Sequence, residues 1–344
     1  MDRTFVDSPA VREATPLLVG LVGPSFSGKT LSALRLATGF QRVCGGEIFM
    51  IDTESRRGLH YAHDAAAPSG VRTFKFRHVP FGAPFSPLDY LHAIEHCANQ
   101  GARQIIIDSM SHEHEGPGGV LEMHDAEIDR LAKNAKPGDE NKRDRVSMLA
   151  WQKPKAQRRR LINTILQMPV NFVFCFRAKE KMLIKKGQEP TPLGFMPIAG
   201  DEFVYEMTLK CLLLQGADGR PTWQSENAGE RLTTKIPAQF RVPPFTELLT
   251  AQLSEDAGEA LARWAAGKPA NRIIDIKALL AQFDACSDAA TFRLLEDDRR
   301  LAWDRCSKAE KASLKTAADR AIKRMEEADV DGAGKRVREP GEDE

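Results

Sequence analysis

Gly23-Pro24-Ser25-Phe26-Ser27-Gly28-Lys29-Thr30 follows at once on the apolar run Leu17–Val22 (LLVGLV). A short continuous apolar run reads as a strand buried on both faces of a parallel sheet. The eight residues after it fit G-x-x-x-x-G-K-[ST] in full, and each position has a chemical reason. The glycines let backbone N–H groups turn inward around phosphate oxygens. A helix starting at Lys29 adds the positive end of its dipole, Lys29 reaches the β- and γ-phosphates, and Thr30 sets a hydroxyl on Mg²⁺. A chance match in a chain of this length is about a 1% event. The expected ATP-binding set is Gly23 to Thr30 (Gly23, Pro24, Ser25, Phe26, Ser27, Gly28, Lys29, Thr30) together with Leu31 on the first helical turn, and Mg²⁺ is the second cofactor.

Outward from this point the strand pattern repeats. Residues 47–51 (EIFMI) and 103–107 (RQIII) each run into an Asp, 170–176 (VNFVFCF) is a fourth apolar run, and 73–79 (TFKFRHV) a fifth. Helix candidates lie at 29–42, at 87–100 with Pro87 in the first turn, and at 154–167. Strands alternating with helices predict an α/β fold: a three-layer core with a mostly parallel sheet. Beyond residue 200 the runs MTLKCLLL and PTWQSE flank Ala217-Asp218-Gly219-Arg220, the signal of a β-hairpin extension. One helix is expected over 245–266, followed by the linker Gly267-Lys268-Pro269-Ala270. A small helical C-terminal module follows, with Leu279, Leu280 and Phe283 at helical spacing. The reading divides the chain into an N-terminal segment 1–16, a core 17–245, a helix and linker 246–270, the module 271–328 and an acidic tail 329–344 expected to be disordered. From residue 326 to the end, eight acids face three bases.

Composition sets the outer limits. The 344 residues carry 49 Lys+Arg against 48 Asp+Glu, so no global charge advertises nucleic acid or a membrane. Six cysteines never form C-x-x-C, which disfavours a zinc knuckle or disulfide framework and fits small core residues in a reducing compartment. The start of the chain has no apolar signal region, and no apolar stretch approaches the ~20 residues of a membrane span. A cytoplasmic location is expected, that of a bacterial host if the chain is phage-encoded.

Asp108 closes the run Ile105-Ile106-Ile107 about 80 residues beyond the loop, as expected of the carboxylate that holds the Mg²⁺ shell from a neighbouring strand. Position 109 is Ser where many AAA+ ATPases place a catalytic Glu. A Glu instead stands in Ile51-Asp52-Thr53-Glu54, 25 positions after Lys29. In these motifs the chain resembles the RecA family of recombinases, over roughly residues 17–215. That family has its catalytic Glu in a similar I-D-x-E context and ends its metal-side strand in Asp-Ser, as at Asp108-Ser109. The resemblance implies a RecA-like P-loop NTPase core, Glu54 as the group orienting water, and Tyr61, seven residues on, stacking on the base. From Asp108 through Trp151 to Arg177-Ala178-Lys179 the chain looks like bacteriophage RecA-like ATPases of the single-strand-annealing kind. It differs from RecA proper in a longer 110–150 span and in Arg177, where RecA has a Gln that senses the γ-phosphate.

Residues 151–187 hold ten bases against the single acid Glu180. Such a patch neutralises backbone phosphates without regard to sequence. Lys153, Lys155, Arg158, Arg159, Lys181, Lys185 and Lys186 are its candidate single-stranded-DNA contacts, with Trp151 and Phe195 as stacking faces. A solvated helix face accounts for the same charges. The resemblance places the DNA channel in loops at 112–150 and 180–200, and Arg177 and Lys179 as cations for transition-state charge. Ser111-His112-Glu113-His114-Glu115, with His124-Asp125, carries metal-ligand residue types. The following Gly116-Pro117-Gly118-Gly119 instead points to a polar loop near the γ-phosphate, with Glu113 helping to orient water.

The function expected from these residues is hydrolysis of ATP, stimulated by single-stranded DNA, in phage-type recombination or annealing. Partners would be further copies of the chain in a ring or filament, and a single-strand-binding or other recombination protein at the C-terminal module. A hexameric helicase or helicase loader shares the same motifs. A P-loop small-molecule kinase, or a nucleotide-gated scaffold, is the reading from another class.

Overall fold

A computed structural model describes residues 13–133, 141–184, 189–225, 227, 230, 233–267, 276–288, 291–292, 295–296, 299, 302–303 and 306–333. The chain divides into two compact units, Met1–Ala270 and Asn271–Glu344.

Unit one is an α/β fold on a mixed, mostly parallel sheet of eight strands. These are β1 (Leu18–Gly23), β2 (Glu47–Asp52), β3 (Arg77–Pro80), β4 (Ala102–Asp108), β5 (Asn171–Leu183), β6 (Thr191–Pro197), β7 (Leu209–Leu213) and β8 (Pro221–Thr222). Their order is β3-β2-β4-β5-β1-β7-β8, with β6 pairing β5 off the main path. Every pair from β3 to β7 is parallel, while β8 and β6 are antiparallel to their partners. β1 is buried along its whole length, as a strand covered on both faces must be. β3 begins later than the 73–79 run predicts, since Phe74 makes only a single bridge to Ala62. Its Pro80 is tolerated because β3 is an edge.

The helices are α1 (Lys29–Cys44), α2 (Pro87–Asn99), α3 (His112–Glu115), α4 (Val120–Ala132), α5 (Lys142–Ala150), α6 (Gln152–Gln167), α7 (Asp201–Tyr205), α8 (Phe245–Thr250) and α9 (Glu255–Ala265). α2 starts as its sequence dictates: Ser86 and Asp89 form a reciprocal capping box ahead of Pro87. Tyr90, Leu91 and Ile94 of α2 and Leu161, Ile162 and Ile165 of α6 share one core cluster with Ile105 and Ile107 of β4. Ile106, equally buried, alternates to the other face. There α1 packs closely with α9: a Cβ on Gly39 would lie 2.0 Å from the Glu255 carbonyl oxygen, and one on Gly258 2.3 Å from that of Leu36.

Four sequence expectations change here. The strand holding Asp108 does not neighbour β1, because β5 lies between them. The hairpin is no appendage, since β7 pairs with β1 inside the sheet. The expected helix over 245–266 is two, because Ser254 accepts from the Ala257 N–H and starts α9 afresh. The 112–150 span holds helices α3, α4 and α5, and residues 178–183 of β5 pair with β6 over 191–197 as a two-stranded arm.

Unit two holds α10 (Ile276–Ala285) and α11 (Lys308–Ala333) around a core that includes Leu279, Phe283, Leu314, Ala317 and Ala321. α11 runs five residues past the boundary at 328, so the tail expected to be disordered from 329 begins as helix. Most of the 1–16 segment, residues 268–275 and the tail beyond 333 lie outside the described residues. Among the described residues no helix is long and apolar enough to cross a membrane.

Candidate active site

The turn from β1 into α1 takes left-handed backbone at Phe26 (φ 61°) and at Gly28 (φ 84°), which caps α1. Gly23 has no room for a side chain: its Cβ would lie 2.3 Å from the Leu213 carbonyl oxygen. Lys29 is buried at 9% exposure. Its ammonium donates to the carbonyls of Gly23 (2.9 Å) and Pro24 (2.6 Å) and to Ser27 Oγ (3.4 Å), using all three donors inside the turn. Desolvation lowers its pKa, while Asp108 and Glu54 act to raise it.

Thr30 Oγ1 donates to Asp108 Oδ2 at 2.6 Å. Burial pushes the Asp108 carboxyl up to about 6, against the Thr30 hydrogen bond and the Lys29 charge. These two oxygen donors fit one edge of an Mg²⁺ shell, the rest being phosphate oxygens and water. Among the described residues no group of three or more His, Cys, Asp and Glu side chains is placed to hold a metal ion.

Glu54 is half-buried just past the end of β2, its N–H donating to Asp52 Oδ1 at 2.8 Å. Asp52 Oδ2 is held by the Gly58 N–H and by His78 Nε2, which fixes the turn that carries Glu54. The Glu54 charge acts on Lys29, Asp108 and His112, and that of Arg177 on Lys29 and His112. The fold therefore brings Lys29, Thr30, Glu54 and Asp108 together from the ends of β1, β2 and β4, with Arg177 from the middle of β5. Lys179 instead pairs with Glu115 at 2.9 Å on the surface. Tyr61 is half-buried in a short 3₁₀ turn, Arg57–Tyr61. It does not line the cavity of about 150 Å³ beside the loop, where Phe26, Leu31, Arg35, Gly219 and Gln252 meet. Phe26 is 97% exposed. Arg35 donates to Gln252 Oε1, and Gln252 Nε2 to the Asp218 carbonyl. A second cavity, of about 540 Å³, opens beside Glu54 and is walled by Arg56, Arg57, Phe81, Phe85 and His112.

The 111–115 turn is neither a metal site nor a polar loop. Its side chains divide between two arginines, Ser111 and His112 meeting Arg177 and Glu113 and His114 meeting Arg158. The Ser111 hydroxyl accepts from the Arg177 N–H (2.8 Å), and the His112 ring sits between Thr53 and Arg177. Glu113 is buried, ion-paired through both oxygens with Arg158 at 3.0 and 2.8 Å, and so turned away from any water near a γ-phosphate. Burial raises the Glu113 pKa against the pull of Arg158. His114 Nδ1 accepts from Arg158 (3.0 Å), and burial lowers its pKa to about 4. His124 stacks on Trp151, centroids 3.9 Å apart, with Nε2 on the Ser147 carbonyl.

The basic stretch accordingly sorts by burial. Lys153, Lys155, Arg159, Arg160 and Lys181 are exposed. Arg158 is a correction: at 4% exposure and locked to Glu113, it offers nothing to DNA. The signal was present in the sequence, because position 158 falls on the buried face of α6 with Pro154, Leu161, Ile162 and Ile165. Trp151 stacks one face on His124, with the Lys155 ammonium 6.0 Å from its ring, and Phe195 is partly buried against the core. Lys185 and Lys186 lie outside the described residues. Sequence reasoning missed Thr53, Ser111, Gln252 and the role of His112, whose contacts span sequence distances that no local pattern encodes. Comparison with protein-family models and with curated proteins gives no match.

Proposed function

We propose that this chain is a P-loop nucleotide hydrolase, binding ATP with Mg²⁺ at the 23–30 turn. Within that class we read it as a RecA-like ATPase acting on single-stranded DNA. The observation that carries the reading is the Thr30–Asp108 hydrogen bond of 2.6 Å beside the buried Lys29 ammonium. A hydroxyl, a carboxylate and an ammonium converge at the turn, whose backbone N–H groups would cradle the phosphate. Bound phosphate replaces the Gly23 and Pro24 carbonyls as partner of Lys29. Asp108 and Thr30 hold the ion, whose chemistry is to neutralise charge on the β- and γ-oxygens. Glu54 accepts from the attacking water and orients it, and Arg177 balances the charge gathered on the transferred group. The base occupies the cavity between Phe26 and Gln252. The exposed Lys153, Lys155, Arg159 and Lys181 supply the sequence-independent contacts to DNA.

The test is ATP turnover by the full chain with and without single-stranded DNA at two salt concentrations. Stimulation that fades with salt supports the reading, and absence of DNA retention at low salt removes its DNA half. The cavity beside Glu54 favours a second reading, a kinase with an acceptor seated there. Phosphate appearing on an added acceptor instead of in solution would decide for it.

A further inference from the structure

The ring of His112 touches both halves of the candidate site at once. Nδ1 lies 2.7 Å from Thr53 Oγ1, and Nε2 lies 3.5 Å from a guanidinium nitrogen of Arg177. Thr53 immediately precedes Glu54, so one imidazole spans the carboxylate's turn and the cation across the sheet.

The proton inventory at this ring closes in one way. Arginine only donates, so Nε2 carries the lone pair and Nδ1 the hydrogen. Nδ1–H then donates to Thr53 Oγ1. That oxygen also accepts from the Ser109 N–H (2.7 Å), and its own hydrogen goes to the Ser109 carbonyl (3.1 Å). The ring plane is fixed as well: Phe85 stacks on it, centroids 5.0 Å apart and 23° between planes. The frame behind it is pinned by Tyr90, whose hydroxyl donates to the same Ser109 carbonyl at 2.8 Å, and by Ser111, which accepts from the Arg177 N–H. A histidine that only filled space would not have both nitrogens and its face engaged by three elements converging on one site.

We infer that His112 is a positioning residue that sets the separation between Glu54 and Arg177, and through it the alignment of attacking water with the charge-balancing cation. The inference rests on the ATPase reading. His112 lies off the phosphate turn, on the wall of the cavity beside Glu54. Nucleotide affinity depends on residues 23–31 and 108, which His112 does not contact, whereas the chemical step depends on Glu54 and Arg177 acting in register. Loss of the ring therefore lowers kcat and leaves KM nearly unchanged.

The experiment measures kcat and KM for ATP on the full-length protein and on His112→Ala, His112→Asn, Arg177→Ala and the His112→Ala/Arg177→Ala double variant. His112→Ala is expected to lower kcat on the order of 10²-fold, the cost of an ångström-scale misplacement, with KM within about threefold. His112→Asn places an N–H near the Nδ1 position, keeps the Thr53 bond and lacks the Arg177 contact. It is expected to fall between wild type and alanine, and it carries the test alone if the alanine variant does not fold. In the Arg177→Ala background the alanine change is expected to cost less than about threefold, the signature of two residues acting as one unit. Wild-type kcat in the single variants, a loss confined to KM, or two losses that multiply overturns the inference while ATP hydrolysis stands. A wild-type protein that does not hydrolyse ATP overturns the ATPase reading first, and this inference with it.

Discussion

The turn at 23–30 and the turn at 109–115 stand over the same end of the sheet and are built on opposite principles. The first works mostly through its own backbone: its partners lie within six residues of one another, apart from the Thr30–Asp108 bond and the Gln215 Nε2 donation to the Ser25 carbonyl. The second works through others. Ser111, His112, Glu113 and His114 each close a contact to β5, α6 or the turn after β2, 44 to 66 positions away. A local device writes itself into consecutive residues and survives as a motif. A junction is written in residues that the fold alone makes neighbours.

The contrast is broken or sharpened by variants on each side. The largest effect is expected at Lys29→Ala, which removes the ammonium we propose meets phosphate: ATP turnover in a phosphate-release assay should be abolished. Glu54→Gln keeps shape and hydrogen bonding but cannot orient water as an anion. Its turnover is expected to fall by on the order of 10²–10³-fold with ATP still bound, as read by equilibrium dialysis. Normal hydrolysis by Glu54→Gln would sink the assignment of that carboxylate.

On the other side, Glu113→Ala strands the buried Arg158 charge and is expected to cost about 3–5 kcal/mol in urea unfolding. Glu113→Leu/Arg158→Met should recover most of that loss, since a buried pair replaced by apolar groups is often neutral. Asp108 gives the pH-dependent case. Burial holds its folded pKa near 6, above the ordinary carboxylate value. Its contribution to stability is therefore fully present below about pH 4 and lost as pH rises through 6. Asp108→Asn is expected to stabilise the nucleotide-free protein by about 1–3 kcal/mol at pH 7.5, a gain that shrinks as pH falls to 5. Mg·ATP should protect the wild type against unfolding and the Asn variant far less. The smallest effects lie on the basic surface. Lys153→Ala, Arg159→Ala or Lys181→Ala should each lower the salt slope of DNA binding by about 1. The buried Arg158 makes no such contribution, and a lowered slope in Glu113→Leu/Arg158→Met, measured on folded protein, would restore it to the DNA surface.

Much of the fold was legible because burial on both faces leaves continuous apolar runs, as at Leu18–Gly23 and Ile105–Ile107, and because turn chemistry marks boundaries, as at Ser86-Pro87 and Asp218-Gly219. Strand order was not, since nothing in β4 says that β5 will lie between it and β1. The helix break at Ala251–Ser254 was hidden because the apolar spacing runs on through it. In the site, Lys29, Thr30 and Asp108 could be named in advance because each follows a strand at a fixed offset. Arg158 was misread because counting charge ignores which face of a helix carries it. Tyr61 and Lys179 rest on the family resemblance, and a matching offset does not fix the direction of a side chain.

β5 deserves a last consequence. Its thirteen residues run unbroken from the centre of the sheet into the arm that pairs with β6, and Arg177 sits at the junction. With ladders on either side of that point, the arm is an oar whose rowlock is the arginine, stiff as far as Lys181, where the pairing with β6 shifts register. A load applied at the blade is felt at the pivot as torsion of the same backbone, and amide exchange should slow as one continuous gradient from the arm toward Phe172.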